Sequence, residues 1–374
     1  MTAKLFTPIQ LGGITLPNRI VVSPMCQYSA ADGAMSDWHM VHLGSLACSR
    51  AGLLTFEATG VTREGRISHG CTGLYSDLNE AAMKRVVEVC RGISKSPLGV
   101  QLAHAGRKAS TQPPFHGGKP LGAGESPWET VAPSALAFAE DWHTPRELAV
   151  EEIRGLADAF AAAAARALRI GLDLVELHSA HGYLLHQFLS PLSNKRSDRY
   201  GGSLENRMRA PLEIARALRE AWPRERALGA RITASDWAPG GFEAADAAAY
   251  ARELKAIGFD YVCVSSGGAV AHQKIKVEPG YQVGFAEAVK RGAQLPVMAV
   301  GMIVEPQQAE DILAAGRADM VTLARGLLDD PRWVWHAAER FGVKLDYPPQ
   351  YRRAHPEQWP GAELARPRQA AQAT

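Results

Sequence analysis

Short, nearly unbroken apolar runs recur along the chain, each followed by loop residues and then by a stretch with helical spacing. Eight stand out, at residues 20–22, 53–56, 98–102, 174–177, 230–233, 261–264, 297–300 and 320–323. A strand with one wet face alternates apolar and polar residues, whereas continuous runs belong to parallel strands covered on both faces. The stretches between them carry readable helix ends. Residues 151–169 are alanine-rich and stop before Gly171; residues 306–315 open on Pro306 and stop before Gly316. Proline lacks the N–H that a first turn leaves unpaired anyway, and glycine adopts the left-handed conformation that closes a helix. Eight such units predict an α/β fold, the (β/α)8 TIM barrel, which needs roughly 250 residues.

The surplus has its own pattern. Residues 1–19 read as a two-stranded β-hairpin, with Gly12 and Gly13 at the turn, plugging the barrel floor. Residues 104–149, rich in Gly, Pro and Trp, form a long loop excursion after the third strand, and residues 178–202 form another. Unstructured loops of that length in a compact domain are characteristic of functional lids. Residues 1–355 read as a single domain and residues 356–374, rich in Pro, Ala, Arg and Gln, as a flexible tail.

Composition narrows the function classes. With 374 residues, 46% of them hydrophobic, the chain can bury a large core, and a net charge of +2 gives no reason to invoke nucleic acid or an anionic membrane. No apolar run approaches the ~20 residues that cross a bilayer, and the first residues lack a signal pattern. The five cysteines, Cys26, Cys48, Cys71, Cys90 and Cys263, are scattered without a C-x-x-C, so neither structural zinc nor a disulfide framework is suggested. The expectation is a reduced, cytoplasmic enzyme.

Chemistry collects where the strands end, the rim on which barrel active sites are built. His178-Ser179-Ala180-His181-Gly182-Tyr183 follows the fourth run and places two imidazoles and a phenol together at a strand end. Neutral imidazoles can hold a developing oxyanion, and a phenol of pKa ~10 is protonated at neutral pH. The same H-x-x-H spacing also suits structural histidines or half of a metal site. The first strand contributes Ser23, Pro24, Met25, Cys26 and then Tyr28; the second ends at Gly60; the third carries Gln101 and His104. Gly301 after the seventh strand and Ala324-Arg325 after the eighth have the layout of a barrel phosphate site, where glycine lets the backbone approach and a guanidinium neutralises the anion. Gln101 and Arg231 lie inside strands, where an unpaired polar group costs several kcal/mol, so each needs a polar ligand or the other.

These residues, together with Asn18-Arg19-Ile20, Asp37-Trp38-His39, the segment from Gln101 to Lys108, Ser193-Asn194 and the segment from Asp198 to Arg207, resemble the Old Yellow Enzyme family of FMN-dependent ene-reductases. The likeness is to the branch called thermophilic-like, which includes xenobiotic reductases and bacterial NADPH dehydrogenases, and it runs from about Leu5 to about Arg353. The resemblance implies tightly but non-covalently bound FMN, with NADPH as reductant and NADH as the alternative. Hydride passes through flavin N5 in a ping-pong reaction that reduces the activated C=C bond of α,β-unsaturated carbonyl or nitro compounds. By the same resemblance Ser23, Pro24, Met25, Cys26 and Gly60 line the flavin, Gln101 and Arg231 bond its pyrimidine, and Gly301, Ala324 and Arg325 bind its phosphate. His178 and His181 bind the substrate oxygen, Tyr183 donates the proton, and Tyr28 closes the pocket. Alanine is common in this branch where this chain has Gly60, which implies extra room.

The resemblance further implies a homodimer or homotetramer in which an arm of about residues 347–355 carries Arg353 to the neighbouring pocket. The residues alone leave open an arm folded on its own barrel. Other features have plainer readings. Residues 198–207 read as a turn and a helix cap, and His39 and His42 as helix residues. The four cysteines other than Cys26 read as buried packing, and Trp333, Trp335 and Phe341 as helix packing. No metal ligand set is expected. A zinc hydrolase would need a third ligand beside His178 and His181, and an iron–sulfur relative would need clustered cysteines after the barrel.

Overall fold

A computed structural model describes residues 3–366. Twelve strands appear in chain order: β1 (Ile9–Leu11), β2 (Ile14–Leu16), β3 (Ile20–Val22), β4 (Leu53–Gly60), β5 (Leu98–Ala103), β6 (Val131–Ala132), β7 (Arg146–Glu147), β8 (Leu174–Ser179), β9 (Ala227–Thr233), β10 (Tyr261–Ser265), β11 (Val297–Ala299) and β12 (Met320–Leu323). Eight of them close a parallel barrel in the order β3-β4-β5-β8-β9-β10-β11-β12, with β12 pairing back onto β3. All eight predicted runs fall on barrel strands, the seventh overrunning β11 by Val300, and every residue of those strands is buried.

Helices α1 (Asp37–Ala47), α2 (Asp77–Ile93), α3 (Val150–Arg169), α4 (Leu184–Leu189), α5 (Leu204–Ala221), α6 (Ala244–Ile257), α7 (Val283–Ala293), α8 (Pro306–Ala314), α9 (Arg325–Asp329) and α10 (Trp333–Arg340) lie in the connections between and beyond the strands. Their ends follow local chemistry. Ser76 and Ser203 cap α2 and α5 by accepting the amides of Asn79 and Asn206. After α3, Gly171 at φ +84° lets the Leu172 amide turn back onto the Ala167 carbonyl. The stretch from Asp198 to Ser203 is thus turn and cap, as its residues suggest.

The hairpin of β1 and β2 closes the floor. Gly13 has to be glycine there, because a Cβ would lie 2.2 Å from the Glu225 carbonyl oxygen. Leu11 and Leu16 are buried among Val21, Leu53, Leu174, Tyr261, Met298 and Met320, residues at or near the amino ends of the strands. Burying each leucine contributes roughly 1.5–3 kcal/mol.

The segment expected to be a second lid, residues 178–202, is instead packed. It contains α4, all six of whose residues are buried, because Leu184, Leu185, Phe188 and Leu189 join the main core. The excursion after β5 holds only short turns and the two-residue strands β6 and β7. At the far end, Ala362 is buried in a short helix, α11 (Ala362–Ala365), and Arg366 pairs with Glu339 at 2.9 Å. Residues 367–374 of the expected tail lie outside the described residues.

Candidate active site

Strand β8 runs two residues beyond its apolar stretch, so His178 is held in the sheet, in register with Arg231 of β9, and not in a loop. The chain then turns sharply. His181 sits at φ +57° and Gly182 at +71°, and a side chain other than glycine in the left-handed region carries strain. Two close approaches hold the turn. A Cβ on Gly182 would lie 1.9 Å from the Gly268 carbonyl oxygen, and one on Gly268 would lie 2.3 Å from that of His181. Lys108 ties the two carbonyls together, donating from Nζ to His181 O at 2.9 Å and Gly268 O at 3.2 Å. Arg107 anchors the neighbouring loops through the carbonyls of Ala269, Leu136 and Ala137.

Three rings meet at this turn. The His178 ring stands edge-on to His181 at 5.2 Å and to Tyr183 at 5.0 Å between centroids. Burial, followed by the Arg231 charge, holds both imidazoles well below the usual histidine range, so both are neutral. The hydrogen-bond network assigns their tautomers. His178 Nδ1 accepts the Ala180 amide at 3.2 Å, leaving its proton on Nε2, 3.4 Å from His181 Nδ1. His181 then carries its proton on Nε2, 2.7 Å from Ser265 Oγ, and Ser265 donates onward to Gln282 Oε1. Burial pushes the Tyr183 phenol above its usual range and keeps it protonated, and among the described residues its hydroxyl makes no hydrogen bond.

Across the mouth, Ser23 to Tyr28 leave β3 as a loop fixed by the carboxylate of Glu57, near the carboxyl end of β4. Glu57 accepts the Gln27 amide at 2.5 Å on one oxygen and His39 Nε2 at 2.8 Å on the other. His39 accepts the Ser36 amide on Nδ1, which directs its proton to Glu57. The loop presents a half-buried Cys26 whose thiol is raised by burial, and Tyr28 at φ +52° with Phe115 of the excursion edge-on at 6.1 Å. A small cavity joins Ala58, Gly60, Ile67, Cys71 and Tyr183. The extra room expected at Gly60 is partly filled, since a methyl there would lie 3.0 Å from both Arg66 Cγ and Thr62 O.

Gln101 and Arg231 do not pair with each other. Gln101 donates to Glu176 Oε1 at 2.7 Å, Tyr261 donates to the other oxygen at 3.0 Å, and Arg231 Nη1 donates to Ser23 Oγ at 2.8 Å. Burial pushes the Glu176 carboxyl up, and the Arg231 charge opposes that shift. Glu176 was legible as the one acid inside an apolar strand run, which demands a buried partner. Arg231 Nε remains buried with no acceptor among the described residues. Gly301, at φ +111°, admits no side chain, since a Cβ would sit 2.5 Å from Gln282 Nε2; Ala324 and the exposed Arg325 precede and open α9. An orphaned guanidinium N–H, a glycine cradle and an exposed arginine together fit a planar heterocycle carrying a phosphate. Among the described residues no third His, Cys, Asp or Glu joins His178 and His181 in a metal-sized group.

Arg353 is brought to none of these residues. The arm lies on its own α10, with Tyr347 stacked on Trp335 at 3.9 Å and Tyr351 edge-on to it, while Arg352 and Arg353 are exposed.

Neutral donors beside a protonated phenol can polarise and protonate a substrate whose electrons come from elsewhere, the division of labour in a cofactor-dependent redox enzyme. Residues 4–342 match the NADH:flavin oxidoreductase / NADH oxidase family, and the chain belongs to it, within the Old Yellow Enzyme group. It is 44% identical over 355 residues to the NADPH dehydrogenase of Geobacillus thermodenitrificans, covering 94% of this chain and 99% of that one. It is 42% identical to the NADPH dehydrogenase of Bacillus subtilis with the same coverage. Among solved structures, morphinone reductase superposes with a TM-score of 0.75 at 30% identity, over 94% of this chain and 93% of that one. The protein is therefore a flavin-dependent NAD(P)H oxidoreductase, with FMN as cofactor and NAD(P)H as reductant.

Proposed function

We propose that this enzyme reduces the activated C=C bond of α,β-unsaturated carbonyl or nitro compounds. The observation that carries the reading is the trio of rings: two neutral imidazoles and one phenol without a partner among the described residues, His181 and Tyr183 each standing about 5 Å from His178 on the rim. His178 Nε2–H, spent only on a 3.4 Å contact, is the donor best placed to take the substrate oxygen. His181 joins it by turning its Nε2–H away from Ser265. Two hydrogen bonds to that oxygen draw electron density from the alkene and make the β-carbon electrophilic. Tyr183 gives its proton to the α-carbon as hydride arrives at the β-carbon, so the product gains one hydride and one proton. FMN, when bound, supplies the hydride it has taken from NADPH, or alternatively NADH.

In this reading Ser23, Pro24, Met25, Cys26 and Gly60 line the flavin, while Gln101 and the unpaired Nε of Arg231 meet its pyrimidine ring. Gly301, Ala324 and Arg325 take the phosphate, and Tyr28 closes the substrate side. The chain assembles as a homo-oligomer in which the exposed Arg353 of one arm reaches the pocket next door. Its support is that the arm's aromatic residues are seated on α10 while both arginines project.

The test is anaerobic. The holoenzyme, reduced with one equivalent of NADPH, is mixed with cyclohexenone, N-ethylmaleimide or a nitroalkene. Reoxidation with formation of the saturated product is the expected outcome. A flavin that NADPH reduces but that only oxygen or quinones reoxidise would overturn the reading.

A further inference from the structure

The buried pair His186 and Asp236 has no part in the chemistry above, yet it ends on the turn that carries it. His186, on α4, is fully buried, and its Nδ1 accepts the Gly182 amide at 2.8 Å. Gly182 lies between His181 and Tyr183. Accepting on Nδ1 places the His186 proton on Nε2, which faces Asp236 Oδ1 at 3.0 Å along a bent line. Asp236, also fully buried, accepts Ser190 Oγ at 2.6 Å and the Phe242 amide at 2.7 Å on its other oxygen. The next residue of α4 grips the opposite side of the same glycine: Gln187 Nε2 donates to Gly182 O at 2.7 Å.

Burying a carboxylate is expensive, and well-packed apolar residues of similar volume would stabilise a helix–loop contact at least as well. The pair therefore calls for a reason beyond stability. A left-handed histidine followed by a left-handed glycine does not persist unless its surroundings over-determine it. Asp236 fixes the tautomer of His186, and only that tautomer offers Gly182 a lone pair. We propose that His186 and Asp236 are positioning residues that set the turn so that Tyr183 and His181 face the substrate together. This role rests on the ene-reductase reading of the same rim.

The test compares His186→Leu with His186→Asn, whose amide oxygen can replace the Nδ1 acceptor, and with Asp236→Asn, all as FMN-loaded protein. Two readouts are taken: stopped-flow rates of both half-reactions, and hydrogen exchange of peptides spanning residues 178–190. His186→Leu is expected to slow reoxidation by cyclohexenone about 10–100-fold and raise its KM, because a displacement near 1 Å has effects of that order. Flavin reduction by NADPH stays within about twofold, and the Gly182 region exchanges faster. Asp236→Asn shows the same pattern more weakly, and His186→Asn recovers both readouts. Equal slowing of both half-reactions, or no recovery in His186→Asn, would reduce the pair to a structural contact. Unchanged exchange at Gly182 in His186→Leu overturns the positioning role whatever the rates. Tyr183→Phe and the wild type run alongside: a wild type that cyclohexenone does not reoxidise would sink the ene-reductase reading, while slowing in Tyr183→Phe next to a silent His186→Leu would sink only the positioning.

Discussion

The two ends of the barrel solve opposite problems. At the floor, acidic side chains and the hairpin meet the demand of the strand starts. Asp173, Asp260 and Asp319 each precede a strand and accept the first or second amide of the neighbouring strand, at Leu98, Leu228 and Val297, at 2.8–3.0 Å. Glu310 takes the amides of Lys4 and Leu5, and the hairpin leucines fill what remains. At the rim, demand is left standing. Among the described residues Arg231 Nε has no acceptor and the Tyr183 hydroxyl no partner, and Tyr28 and His181 hold positive φ. An end that must receive a cofactor and a substrate keeps its donors uncommitted, and the closed end supplies the stability that this requires.

The comparison predicts that changes at the rim alter chemistry and changes at the floor alter stability. The largest expected effect is at Tyr183. Tyr183→Phe should slow reoxidation of the reduced enzyme by cyclohexenone ~10²–10⁴-fold while leaving flavin reduction by NADPH and the melting temperature near wild type. Stopped-flow traces of the two half-reactions decide it, and an unaffected oxidative half-reaction would assign protonation to solvent. Next comes Leu16→Ala, in the fully buried plug. It should lower unfolding free energy by ~2–5 kcal/mol in urea titrations. Both half-reaction rates per folded molecule should hold. A variant whose rates fall with its stability would show that the two ends are coupled.

The smallest effect concerns pH. Burial pushes His104, at the end of the third barrel strand, down to about 4. A base held below its unfolded value of ~6.5 contributes stability above that pH, and this is lost as pH falls towards 4, because only the unfolded chain takes up the proton. Between pH 7 and pH 5 the loss is about 2 kcal/mol for this one group, at about 1.4 kcal/mol per unit below 6.5. His104→Gln should shrink the difference between urea titrations at those two pH values. An unchanged difference would place the acid sensitivity of the rim elsewhere, with His178 and His181 the next groups to examine.

Much of this was readable along the chain. The barrel, the hairpin and the rim residues His178, His181 and Tyr183 came from apolar runs and their ends, since burying a strand on both faces constrains residues that are consecutive. Glu176 carried a signal that was passed over, an acid in mid-strand. One expectation failed: residues 178–202 look like a loop in composition, but a few apolar side chains, Leu185 and Phe188 among them, find surfaces that exist only once the barrel has closed.

The sequence by itself therefore determined which residues stand at the strand ends and which face the core, because periodicity, caps and turns act over a few residues. The tertiary structure alone decided who meets whom. Arg231 reaches Ser23 across 208 residues, Gln101 reaches Glu176 across 75, and His186 reaches both Gly182 and Asp236. Those partnerships depend on the stagger at which eight strands close, and a tautomer or an orphaned N–H exists only after that closure has placed its neighbours.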